Sequence, residues 1–166
     1  DDAVKFAQAL ERDGTVDLLV PSGGWISRNG FFMLRGPVPL KEMVAANKKP
    51  VQRLALRLFG RALVPAIPYE AQAPYFREQA LVLMAHLGSG LPLCLVGGVD
   101  SLKVMEGALR DGFAAVAAAR ALLREPDLPK RLQAEGAEAA PSACVHCNLC
   151  IVGSAMAEEP VGCAQR

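Results

Sequence analysis

Apolar positions in this chain fall into one phrase used three times: a run at helical spacing, a glycine joint, then a mainly apolar run of strand length, interrupted only by Asp17 in its first use. Ala3, Phe6, Ala7 and Leu10 carry the first helical spacing, Arg12-Asp13-Gly14 ends it, and Val16 to Val20 follows as a strand. The second phrase is a helix from Tyr75 to Leu87, the glycines Gly88 and Gly90, and the strand Leu91 to Val96. The third is a helix with Leu102, Met105 and Leu109 on one face, capped by Asp100 or Ser101. Arg110-Asp111-Gly112 closes it, Phe113 to Ala119 is the strand, and Ala119-Arg120 opens another helix. Strands with no polar alternation are those buried on both faces of a parallel sheet, so the pattern predicts a repeated β/α architecture.

Three strands do not close a barrel. A TIM (β/α)8 barrel takes roughly 250 residues, so the predicted fold class is α/β, the C-terminal portion of such a barrel in about three β/α units, followed by a Cys-rich tail. The predicted division is 1–135 for the barrel part and 136–166 for the tail. Because the chain begins at Asp1 without Met, in what reads as mid-helix, a truncated or proteolysed piece is expected.

Pro21 to Gly24 opens a long irregular stretch, 25–74, of the kind that forms a lid or an interface. Helices are predicted within it at Leu40 to Ala46 and Val51 to Phe59, and the string Lys48, Lys49, Arg53, Arg57, Arg61 reads as a solvated face. Trp25, Phe31, Phe32 and Met33 would pack the loop onto the barrel top or cover a ligand. Pro65, Pro68 and Pro74 mark an extended connector. Towards the other end, Pro126 and Pro129 break a helix, Leu128 to Ala134 makes a short one, and Gly136 to Ser142 is a small-residue linker.

With 166 residues, 52% of them hydrophobic, the chain can bury a core, and its formal net charge of +1 gives no general attraction to nucleic acid or an anionic membrane. The apolar runs are too short for a membrane span and no signal segment opens the chain, so a cytoplasmic location is expected. An incomplete barrel exposes strand edges, so self-association is expected too.

Two features carry chemistry. Gly97-Gly98 ends a buried strand and lets backbone approach a ligand, while Ala119-Arg120 starts the next helix. Two helix N-termini with a cation beside them predict an anion site, for phosphate above all. The plainer reading of the glycines is turn chemistry, and of Arg120 a solvated helix residue. The second feature is Cys144-Val-His-Cys147-Asn-Leu-Cys150, with Cys163 following after twelve intervening residues. Three thiols at intervals of three and a fourth from a distance suit an iron–sulfur cluster; zinc, and thiols that hold nothing, are the alternatives. His146 would replace a ligand or hydrogen-bond nearby, and Cys94 reads as a small core residue.

Together, Val96-Gly97-Gly98-Val99, the run Ala119 to Pro129 and the Cys-x-x-Cys-x-x-Cys tail resemble the C-terminal part of the old yellow enzyme family, in the branch of NADH:flavin oxidoreductases, 2,4-dienoyl-CoA reductase and trimethylamine dehydrogenase. The resemblance implies an FMN-dependent oxidoreductase in which NAD(P)H is the co-substrate and hydride passes by way of the flavin to an activated alkene or similar acceptor. It implies that amides around Gly97, Gly98, Ala119 and Arg120 take the FMN phosphate, Arg120 pairing with it, although most of the family has Gly at the place of Ala119. It also implies that Cys144, Cys147, Cys150 and Cys163 hold a [4Fe-4S] centre. The family's groups beneath the flavin ring belong to the missing N-terminal half of the barrel, so no catalytic residue is assigned; His86 and His146 do not replace the substrate-binding pair. Competing readings are a catalytically silent binding or structural fragment, and a sugar-phosphate lyase or isomerase on a similar barrel.

Overall fold

The computed structural model describes residues 2–23, 35–71, 73–88, 90–156 and 160–165. Trp25, Phe31, Phe32 and Met33, and with them most of the candidate lid, lie outside the described residues. The described residues form two compact units: one lies within 1–23, 70–118 and 129–141, the other within 24–69, 119–128 and 142–166.

The first unit is mixed α/β around a small parallel sheet. Strand β1 (Cys94–Val96) pairs with β2 (Ala115–Ala117) in the register Cys94 to Ala115, Leu95 to Val116 and Val96 to Ala117. On the other edge of β1, Leu19 bridges Leu93 in parallel; Cys94 N–H donates to Leu19 O (2.9 Å) and Leu19 N–H to Pro92 O (3.0 Å). The three apolar runs therefore do lie side by side, in chain order and in parallel, as the β/α pattern predicts. They are shorter than predicted. Of the run Val16 to Val20, only Leu19 pairs, and Leu18 and Val20 are exposed. An apolar run at the margin of the described sheet is therefore not by itself evidence of burial. The run Leu91 to Val96 behaves as predicted, with Leu91, Leu93, Cys94 and Leu95 all buried.

Helix α1 (Asp2–Asp13) packs on α4 (Arg77–Met84), and α4 on β1. Between them runs a core of Ala7, Ala80, Leu83, Leu93, Leu95, Val99, Val104, Ala108 and Phe113. Helix α5 (Leu102–Arg110) joins it through Val104 and Ala108, with Met105 packed alongside as predicted, whereas Leu109 is exposed, which corrects that residue's place on the buried face. The correction has a simple cause: small residues let a helix lie close to a sheet, and the larger Leu109 falls outside that seam. For the same reason Ala7 rather than Phe6 anchors α1. The joints carry the expected left-handed glycines, with φ of +63° at Gly14 and +100° at Gly112. At the middle joint the carboxylate of Glu11 accepts the amides of Gly88 (3.0 Å) and Gly90 (3.3 Å), tying α1 to the turn before β1.

The second unit is helical. Helix α2 (Leu40–Ala46) keeps its predicted bounds, and α3 (Pro50–Leu63) is longer than predicted at both ends, Pro50 fitting the first helical position where its missing N–H costs nothing. Helix α6 (Arg120–Arg124) starts where the pattern places it, with Ala119 at the cap. Helix α7 (Leu128–Glu135), which from Pro129 onward belongs to the first unit, matches the predicted short helix and ends in a 3₁₀ turn (Gly136–Glu138) of that unit. Helix α8 (Leu149–Met156), unpredicted, packs on α2, where Val152 meets Met43. Among the described residues no helix is long and apolar enough to cross a membrane.

An ion pair locks the first unit: Arg77, at the start of α4, forms a two-pronged bond to Asp111 after α5, Nε to Oδ2 at 2.6 Å and Nη2 to Oδ1 at 2.7 Å. The Arg77 guanidinium holds the Asp111 carboxyl below its usual range and is itself pushed up. A depressed folded-state pKa gives stability that is complete above the unfolded value of about 3.9 and is lost as pH falls through the folded one. The Arg77 side chain is 41% exposed and that of Asp111 21%, so solvent screens the pair and Asp111→Asn should cost only about 1 kcal/mol at neutral pH. Urea unfolding should show that deficit at neutral pH and a smaller one near pH 2.5, where the native carboxylate too is becoming protonated. An equal deficit at both would show that the charge pairing is not what stabilises this contact.

Candidate functional site

The site residues predicted from the sequence divide between the units: Gly97 and Gly98 in the first, Ala119, Arg120 and the four tail cysteines in the second. Each group is described within its own unit.

At the end of β1 the chain turns through φ of +93° at Gly97 and +80° at Gly98, a region that side chains rarely tolerate. The turn is also crowded. A Cβ at Gly97 would stand 2.7 Å from the rings of both Tyr75 and Phe76, and one at Gly98 would stand 3.0 Å from the Ala73 carbonyl. Tyr75 N–H donates to Gly97 O at 3.1 Å, and the Tyr75 and Phe76 rings meet edge to face at 4.8 Å. Phe76 also lies against Gly23, where a Cβ would again come to 2.7 Å. Both backbone geometry and packing by residues 73–76 therefore require glycine here without reference to a ligand. Pro21, Ser22, Gly23 and Phe76 line one side of a cleft of about 340 Å³ whose other walls come from α1 and α4. Ser101 takes the cap position of α5, but its hydroxyl makes no capping bond, and Asp100 beside it is buried.

In the second unit Arg120 is a buried residue, not a solvated one. Its Nη1 donates to Arg35 O at 2.9 Å and to Asn148 Oδ1 at 2.6 Å. Asn148 in turn donates from Nδ2 to Pro37 O at 3.0 Å. One guanidinium and one amide thus bind residues 35–37 to the cysteine loop. His146 and Asn148, which alternate with the cysteines, have φ of +51° and +61°. Left-handed residues at alternate positions wind the loop tightly, and Cys150 then falls in the first turn of α8. His146 is buried and stacks on Tyr69, ring centroids 3.5 Å apart.

Cys144, Cys147, Cys150 and Cys163 line a single small cavity together with Arg120 and Arg124. All four are thiols, each half-buried. Burial pushes the thiols of Cys144 and Cys150 up, opposed at Cys144 by a main-chain hydrogen bond from His146 and at both by the charge of Arg120. Among the described residues no three His, Cys, Asp or Glu side chains are drawn together tightly enough to grip an ion. The donor set nevertheless fits a thiolate-bound centre: four soft ligands face one space, with two cations to offset the charge they would carry. Cys94 is a core residue of the first unit, and burial pushes its thiol up.

The chain is similar to part of a disulfide reductase. The relative is 4,4'-dithiodibutanoate disulfide reductase from Rhodococcus erythropolis, 38% identical over 153 residues, which are 91% of this chain and 36% of the relative. The chain thus spans about a third of the length of the curated relative it matches, a protein that its name makes an oxidoreductase. No family model matches the chain. No solved structure matches it either.

Asn148 is the site residue that the sequence reading overlooked. The available signal was its place between Cys147 and Cys150, since Asn is among the few residues that take a left-handed conformation readily. Asn148→Ala removes the buried amide's bonds to both Arg120 and Pro37 O, so it should lose about 1–3 kcal/mol in urea unfolding. Asn148→Asp should recover only part of it, since a carboxylate still accepts from Arg120 but cannot donate to Pro37 O. Equal stability of all three proteins would remove Arg120–Asn148 from the contacts that hold the tail.

Proposed function

We propose that this chain is the part of an FMN-dependent, NAD(P)H-oxidising reductase of the old yellow enzyme type that holds the cofactor phosphate and carries the cysteine tail. The observation that carries the reading is a succession: two parallel β/α units, the first ending in a left-handed Gly-Gly turn and the second opening a helix at Arg120, followed by four thiols lining one cavity. In a (β/α)8 barrel the loops after the last two strands are a common phosphate site. The segment 16–20, β1 and β2 would then be consecutive strands of such a barrel.

Main-chain amides around Gly97, Gly98, Ala119 and Arg120 would bind the phosphate, and the Arg120 guanidinium would offset its charge. Bound FMN would relay two electrons from NAD(P)H to the acceptor. The name of the relative makes an organic disulfide a suitable acceptor beside an activated alkene. In that case the S–S bond breaks, and two electrons with two protons give two thiols. Cys144, Cys147, Cys150 and Cys163 would hold a [4Fe-4S] centre or zinc.

A specific observation favours a second reading, in which the Gly-Gly turn is structural and this part of the protein is catalytically silent: Tyr75 and Phe76 already occupy the space beside both glycines. Titration of the intact protein with FMN separates the two. The first reading expects quenching of flavin fluorescence, about tenfold weaker binding in Arg120→Ala, where a charge-assisted bond to phosphate is lost, and NADH oxidation that depends on 4,4'-dithiodibutanoate. Iron and zinc determination on the same preparation identifies what the thiols hold. Unquenched fluorescence across the titration would leave the silent reading standing.

A further inference from the structure

Helix α3 carries an apolar stripe that the packing of the described residues leaves exposed. The helix attaches through one side: Gly60 is buried against Leu40, where a Cβ would stand 3.0 Å from Cδ2, and Leu56 one turn earlier packs on the Met43–Val152 core. At about 100° per residue, Val51, Leu54 and Leu58 lie across the helix from Gly60, with Phe59 and Leu63 flanking. These five side chains are 55–79% exposed. Single exposed apolar residues are ordinary, but five on one fourteen-residue helix form a patch of the kind that marks an interaction surface.

Charge beside the stripe selects the occupant. Arg53, Arg57 and Arg61, at intervals of four, form one exposed flank, and Lys48 and Lys49 precede the helix. Between Met43 and Tyr69 the chain has these five cations and no acidic residue. The net charge of +1 for the whole chain therefore conceals a strongly positive local surface. A groove of about 570 Å³ between α2 and α3 is lined by Lys41, Arg57 and Arg61 together with Leu40, Val44 and Leu58, so cations and apolar groups share one concave surface.

A second copy docked antiparallel on α3 would set each arginine flank against its own duplicate. Docked parallel, the flank would meet the opposite edge of the helix, which bears Gln52 and Leu63 and no acid. Neither arrangement supplies counter-charge. An anionic lipid surface supplies it along the whole flank and also takes up the apolar stripe. We infer that α3 is an interfacial helix that docks the protein on the surface of an anionic membrane, with Val51, Leu54, Leu58 and Phe59 in the acyl boundary and the arginines at the lipid phosphates. This is surface association, distinct from spanning.

Co-sedimentation of the intact protein with vesicles of phosphatidylglycerol and phosphatidylcholine, against vesicles of phosphatidylcholine alone, tests it. The expected result is binding to the anionic vesicles only, weakening as salt rises. Arg57→Glu and Leu58→Glu should each reduce it by about fivefold or more, with circular dichroism confirming that these solvent-facing changes leave the fold intact. Equal partition to both kinds of vesicle, or to neither, overturns the inference. So does a dimer in solution that Leu58→Glu disperses, because a second copy would then be what covers the stripe.

Discussion

Strand β1 is the element on which the first unit depends, because it alone among the described strands is paired on both edges. Cys94 donates to Leu19 on one side, and Ala114 donates to Leu93 on the other at 2.9 Å. A strand held that way is buried on both faces: Leu91, Leu93 and Leu95 line one, and Cys94 is buried on the other. Its end is then placed closely, and the Gly97-Gly98 turn inherits that placement. Helix α5 follows within a few residues, so the direction of its N-terminus is set by the strand and not by the loop.

The same placement explains the tension at that turn. Phe76 lies between Gly23, at the end of the first apolar run, and Gly97, at the end of β1. One ring thus occupies the gap between two strand ends, and its close contacts lie on the Cα side of each glycine. A phosphate gripped by main-chain amides would approach from the N–H side. Packing requires that no Cβ be present at this pair of residues; the proposed phosphate site would require in addition that their amides be presented. Glycine satisfies both.

Much of the fold was legible in the sequence because β/α repetition leaves a double signature, a change in apolar period from helix to strand and a glycine at the joint. The start of α6 and the parallel order of the three apolar runs follow from it. Burial on a given face was less legible. Periodicity marks Leu109 and Phe6 as apolar positions but says nothing about how near a neighbouring element comes, and the close seams went to Ala108 and Ala7. The tail shows the same limit. The cysteine spacing was plain, whereas the burial of Arg120 was not, because its partners, Arg35 and Asn148, are 85 and 28 residues away.

Those partners give the cysteine loop a preference that spacing alone does not. Buried thiols favour the protonated form, and Cys144 and Cys150 are pushed that way. Thiolate ligation requires the opposite form, so any centre held by these sulfurs must release protons as it assembles. Arg120 offsets part of that cost, since its positive charge works against the effect of burial at both cysteines. Because Nη1 of Arg120 is already fastened to Asn148 and Arg35, the charge is held in place before a ligand arrives. A lysine there would carry the same charge, but its single ammonium lacks the planar fork that lets arginine hydrogen-bond in several directions from one fixed position. The tail is thus organised around a fixed cation as much as around its sulfurs.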